Sequence, residues 1–218
     1  MNHQNFHRGL LAAAVAGAFA FGASTVHATG ADFNIGVFTD YIDDGATKSD
    51  NDAVVQGGFE LGFDNGVFTG VQASSLGSGR GVEVVPFVGY GFDAGPVGLE
   101  FGFEYFHYSD LDERYEGETF VVADWGPVYT GVNYLAHAHD RDARGSREYF
   151  VGAAFEVIPR TEVFAEVGYG SPADDNGAKF WELGAAHATD FGTFSVTYAT
   201  RDESGAQNLL AGGYTYNF

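Results

Sequence analysis

Eight glutamates, Glu60, Glu83, Glu100, Glu104, Glu156, Glu162, Glu166 and Glu182, fall in stretches whose apolar residues recur at every second position, and each occupies the alternate parity. That parity is otherwise crowded with glycine, for instance Gly58, Gly62, Gly89, Gly91, Gly98, Gly102, Gly152, Gly168 and Gly184. The basic residues Lys48, Arg80, Arg114, Arg141, Arg144, Arg147, Arg160, Lys179 and Arg201 lie in loops, turns or strand ends. Carboxylates without such partners need water, because a charge in hydrocarbon costs about 2.5 kcal/mol or more. Side chains of this kind fit a hydrated interior, where they attract cations and repel anions.

Other chemistry is weaker in the sequence. His137-Ala138-His139 puts two imidazoles on one face of a strand end, a spacing a metal could use, but no third ligand is evident. The acid clusters at Asp43-Asp44, Asp50-Asn51-Asp52, Asp110-Leu111-Asp112-Glu113 and Asp174-Asp175-Asn176 lack the spacing of a dedicated calcium loop. Lipid hydrolysis needs a serine beside a base on the apolar face. His107 and His187 have that parity, but no Gly-x-Ser-x-Gly occurs and Ser195 takes the opposite face. With no cysteine, thiol chemistry, disulfides and zinc ribbons are excluded. Neither a catalytic residue nor a metal or cofactor is expected.

The elements that must position the glutamates are strands. Val97, Leu99, Phe101, Phe103 and Tyr105 alternate with Gly98, Glu100, Gly102 and Glu104, a period of two that persists to the C-terminus. Turn signals divide the chain into 12 strands over 32–41, 53–63, 66–74, 82–92, 96–108, 118–125, 127–138, 148–157, 161–170, 179–189, 193–200 and 208–218. The connections alternate in length. Those at Asp64-Asn65, Asp93 to Gly95, Gly126, Ile158 to Arg160 and Thr189 to Gly192 are tight. Those from Ile42 to Asp52, Ser109 to Gly117, His139 to Arg147, Ser171 to Ala178 and Arg201 to Gln207 are long and charged.

Residues 1–28 read as a cleaved secretory signal: Arg8 in a polar start, an apolar run from Leu10 to Ala23, and Val26-His27-Ala28 as the cleavage site. Residues 29–218 are then one domain. The whole chain carries 10 Lys+Arg against 30 Asp+Glu, a net charge of −20, which argues against nucleic acid as a partner. The fold class expected is all-β, a transmembrane antiparallel up-and-down barrel of 12 strands. A soluble sandwich competes, but glycine weakens strands unless space is short, as it is inside a narrow barrel. The ending Tyr214-Thr215-Tyr216-Asn217-Phe218 resembles the C-terminal signal that barrel assembly machinery reads. Tyr41, Tyr105, Tyr149, Tyr169 and Tyr198 suit a girdle at the long-loop end, and Phe63, Phe92, Trp125, Tyr216 and Phe218 one at the short-turn end.

The stretch Thr39-Asp40-Tyr41-Ile42-Asp43-Asp44-Gly45, followed by Lys48-Ser49-Asp50 and Ala53-Val54-Val55-Gln56-Gly57-Gly58-Phe59, resembles the opening of the TorF family of porins. Tyr149-Phe150, Val167-Gly168-Tyr169 and the terminal Phe218 match further on. Family members usually have Arg-Gly where this chain has Asp44-Gly45, so a role for that arginine does not carry over. The resemblance implies an outer-membrane barrel of porin type.

These readings converge on an expected porin-like channel in the bacterial outer membrane, with a narrow acidic lumen for small cations or small polar solutes. Its expected partners are outer-membrane lipid, lipopolysaccharide, the assembly machinery through the strand ending at Phe218, and the solutes themselves. A non-conducting structural or adhesive barrel is the alternative. Inward Phe38, Phe68, Phe87, Phe106 and Phe164 should narrow the lumen, with Glu100 and Glu104 at its constriction.

Overall fold

The computed structural model describes residues 30–109, 115–173 and 177–218. The signal segment, the Asp110 to Glu113 cluster and the Asp174-Asp175-Asn176 cluster lie outside the described residues.

Among the described residues fourteen strands follow one another: β1 Gly30–Phe38, β2 Ile42–Asp43, β3 Ala46–Thr47, β4 Val54–Gly62, β5 Val67–Ser75, β6 Val82–Ala94, β7 Val97–Tyr108, β8 Tyr115–Trp125, β9 Val128–Ala138, β10 Arg147–Ile158, β11 Thr161–Ser171, β12 Ala178–Thr189, β13 Gly192–Arg201 and β14 Leu209–Asn217. All but β2 and β3 form one closed antiparallel barrel in which each strand pairs with its neighbour in sequence. Pairing of β1 with β14, from Asn34 opposite Asn217 to Phe38 opposite Gly213, closes the wall. This is the 12-stranded barrel that the alternation implied.

Alternation fixes which side each residue takes, because a slip of one position would turn every apolar side chain inward. Phe33, Ile35 and Val37 on β1, Phe101 and Phe103 on β7, and Val167 and Tyr169 on β11 are exposed on the outside. Tyr149, Tyr169 and Tyr198 are exposed near the long-loop end; Phe63, Phe92, Trp125, Tyr216 and Phe218 are exposed near the other. No helix among the described residues is long and apolar enough to cross a membrane, which says nothing about crossing by strands.

The short turns use left-handed residues where the hairpins demand them: Gly95 has φ 71° and Gly126 φ 61°. Arg160, with φ 67°, fills the same role without glycine, and its guanidinium bonds Asp190 at 2.7 Å. Strand β8 starts at Tyr115, before the residue 118 expected from sequence, across a register shift between Gly117 and Glu118.

Two sequence expectations need correction. The first strand ends at Phe38, not at residue 41, so Tyr41 leaves the outer parity and is buried inside the barrel instead of joining the girdle. The connection from Ile42 to Asp52 is not simply an exposed loop, for it contains the β2–β3 hairpin and packs within the barrel.

Candidate functional site

Two kinds of neighbour pairs recur on the inner wall. In the first, an aromatic side chain faces a glycine on the adjoining strand: Phe68 faces Gly89, Phe87 faces Gly70, Phe120 faces Gly102, Phe150 faces Gly131 and Phe180 faces Gly168. The ring lies against the glycine so closely that an added Cβ would overlap it. Glycine on the inward parity therefore makes room for rings laid along the wall. Phe68, Phe87, Phe120 and Val122 join in one buried cluster, with Phe150 packed against it. The expected inward residues Phe38, Phe106 and Phe164 belong to the same lining: Phe38 covers Gly213, Phe164 covers Gly184, and Phe106 lies beside the Lys48 ammonium.

In the second kind, carboxylates face one another. Glu104 is opposite Glu118, Glu166 opposite Glu182 and Glu156 opposite Glu162. Like charges placed directly across a strand pair repel, so these positions disfavour a dry interior. Glu83, Glu100, Glu104, Glu166 and Glu182 are buried from the outer surface. Glu60 and Glu162 are half-buried and Glu156 is exposed, all near the short-turn end; Glu156 accepts the Arg160 backbone N–H at 3.0 Å. The glutamates are thus spread along the barrel and do not form one ring.

Sequence reasoning missed Glu118 and Glu148, which share the inner wall with the eight. Each is the first residue of a strand as delimited from sequence, beside a charged connection. Asn133, directly opposite Glu148 on β9, donates to its carboxylate at 3.2 Å.

The segment from Thr39 to Ala53 was also missed. Asp44 and Gly45 have φ 51° and 71°, the paired positive values of a type I′ hairpin turn. Asp40 ties the base of the segment, accepting from the Thr47 hydroxyl at 2.6 Å and the Ser49 hydroxyl at 2.7 Å. The Tyr41 N–H donates to Ser49 Oγ at 2.9 Å. Ile42 is fully buried against Ala199, Leu209 and Ala211 of β13 and β14. The Gly45 N–H donates to Glu182 on β12 at 3.2 Å. On the other side, Lys48 Nζ lies 2.7 Å from Glu83 on β6. The hairpin therefore spans from one wall to the other inside the long-loop end.

This corrects the reading that no base reaches the strand carboxylates. Lys48 is a loop residue by sequence, but the fold carries its ammonium to Glu83, with Asp43 at 3.3 Å. Burial opposes its charge, yet Asp43, Tyr41 and Glu83 outweigh that and hold the ammonium's pKa above the ordinary lysine value. The hairpin meets the wall at Glu83 and Glu182, with Glu104 in electrostatic reach of Asp43 and Lys48, whereas Glu100 lies further toward the short-turn end.

On the outer face, Tyr115 stacks on His137 at 5.2 Å and meets His139 edge-on at 5.6 Å, so this pair joins the aromatic girdle with Tyr105. No group of three or more potential metal ligands occurs among the described residues. His187 bonds the Thr161 hydroxyl at 2.8 Å near the short-turn end.

Together these features define a closed 12-stranded β-barrel with an apolar outside, an acidic and aromatic inside, and a connection folded into one mouth. The chain belongs to the bacterial family of unknown function designated Gcw_chp, whose model matches residues 20–215. The matching family is described as Gcw_chp and not under the TorF name. Among solved structures the chain is similar to the KdgM porin, with TM-score 0.60 and 11% identity over 86% of this chain and 99% of that one. It is also similar to a chain solved in a study of the in-meso crystallisation of membrane proteins, with TM-score 0.57 and 8% identity over 86% and 83% of the two chains. At these identities the likeness concerns the fold. No curated protein matches the chain by sequence.

Proposed function

We propose that this chain is a porin-like channel of the bacterial outer membrane, of the kind the TorF resemblance implied, passing small cations or small polar solutes passively. The inner wall carries the argument, since carboxylates there outnumber the single ammonium of Lys48 that reaches them among the described residues near the hairpin. A negative, hydrated lumen raises the local concentration of cations and repels anions. The apolar outer face and its two aromatic girdles support placement in a bilayer. Nothing in this reading calls for catalysis, a cofactor or nucleic acid.

Liposome swelling tests it. Vesicles containing the refolded barrel should swell in small cationic or neutral solutes and resist anions of equal size. Fractionation should recover the protein with outer membranes, migrating on gels in a heat-modifiable band. Replacement of Phe218 by Ala should lower the folded fraction in cells while leaving refolding in detergent intact, if the assembly machinery reads that end.

The inward hairpin favours one second reading, a closed barrel with a structural or adhesive role. Vesicles that never swell, with a barrel that is demonstrably folded, would select it.

A further inference from the structure

The Lys48 ammonium sits in a built enclosure. Glu83 Oε2 lies 2.7 Å from it and Asp43 Oδ2 3.3 Å. The rings of Tyr41, Phe106 and Tyr108 have their centroids 5.1, 5.3 and 5.8 Å from the nitrogen, within the range of cation–π attraction. Tyr41 does more than supply a ring, because its hydroxyl donates to Glu83 Oε1 at 2.6 Å and holds the carboxylate in place. Glu83 itself is 1% exposed. Two carboxylates and three aromatic faces around one nitrogen form a recognition site for an alkylammonium group, and here the chain fills it with its own.

We propose that this enclosure is a binding site for small primary alkylammonium cations, with Lys48 as a tethered occupant that such cations displace. The inference rests on the channel reading for the route by which an amine arrives, and it narrows the solute class from small cations to organic amines. Glu83, Phe106 and Tyr108 belong to the wall, whereas Tyr41, Asp43 and Lys48 belong to the inward connection. An amine that takes the place of Lys48 thereby removes one of the ties between that connection and the wall. The tether presents its ammonium at an effective concentration on the order of millimolar, so free amines compete weakly in the wild type.

Truncating the tether uncovers the site. Lys48→Ala removes three carbons and the nitrogen, which together are n-propylammonium. Isothermal titration of the detergent-folded barrel with n-propylammonium chloride, against sodium chloride and sodium butyrate at equal ionic strength, should show binding at least about tenfold tighter to K48A than to wild type. K48M, whose uncharged chain fills the same space, should bind no amine, and K48A/E83Q should lose what K48A gained. Equal binding by K48A and wild type, retention in K48A/E83Q, or equal binding of butyrate would overturn the proposal. If K48A folds poorly, its refolding yield should rise with n-propylammonium and not with sodium; an unchanged yield overturns the proposal equally. Potassium conductance of the wild type is recorded separately. A conducting wild type with no amine binding by K48A removes the amine site and keeps the channel, while amine binding by a silent barrel does the reverse.

Discussion

Replacing Ile42 by Asp should release the hairpin from the lumen. Ile42 is fully buried against Ala199, Leu209 and Ala211, and burying a side chain of this size contributes about 1.5–3 kcal/mol. Aspartate forfeits that and sets a carboxylate on an apolar patch, a further cost of several kcal/mol unless the segment moves away. Opposing release are the buried Lys48–Glu83 ion pair, whose loss costs about 3–5 kcal/mol, and the Gly45 N–H to Glu182 hydrogen bond, which contributes about 1.5–3 kcal/mol. The two sides then become comparable, and since about 1.4 kcal/mol is tenfold in population, the released form should reach roughly a tenth of the molecules or more. Single-channel recording reads this as a second, larger conductance level visited often in I42D and rarely in wild type. Ile42→Val, which removes one methylene and costs about 0.5–1.5 kcal/mol, should stay near the wild-type pattern. A folded I42D barrel with wild-type levels and wild-type opening frequency would refute the claim that this contact holds the hairpin inside.

Gly168→Ala should destabilise the barrel by about 1–3 kcal/mol in chemical unfolding from micelles, because its Cβ would overlap the Phe180 ring. Gly170→Ala, on the same strand but with nothing closer than 3.9 Å to the added atom, should stay within about 0.5 kcal/mol of wild type. Leu183 is 58% exposed on the outer face in the body of β12, so Leu183→Arg should cost about 2–4 kcal/mol in bilayers and much less in a soluble-like environment. Equal tolerance of this arginine in thick and thin bilayers would count against a membrane-facing outer wall.

The wall was legible because a strand with one apolar side states its orientation at every second residue. Val97 to Tyr105 reveals its strand, its face and its inward glutamates at once. The pairing of inward rings with glycines was only half visible, since both residue types stood in the sequence but their register, such as Phe180 opposite Gly168, arises from the fold. The hairpin was hidden by its charge. Asp43, Lys48, Ser49 and Asp50 read as a solvated connection, and the partners of Ile42 are Ala199, Leu209 and Ala211, far along the chain. Yet Asp44-Gly45 is a strong hairpin-turn signal, and reading it as such would have found β2 and β3. Tyr41 was misplaced for a related reason: it continues the outward parity of Phe33, Ile35 and Val37 past the residue where the strand stops.

Whether the lumen conducts, and whether its carboxylates set its charge preference, is read from the reversal potential of the barrel in a planar bilayer under a potassium chloride gradient. A carboxylate about 5 Å from a passing cation contributes about 0.8 kcal/mol in water, reduced to roughly 0.5 by salt at 0.1 M. Glu104 and Glu118 face each other beside the hairpin, so E104Q/E118Q, which removes about 1 kcal/mol of cation attraction and about as much anion repulsion, should lower the cation-to-anion permeability ratio by roughly thirtyfold. Wild type should give a cation-selective potential that moves toward zero in the double mutant. A wild-type potential of anion-selective sign, or a cation-selective one unmoved by removing both glutamates, would contradict it.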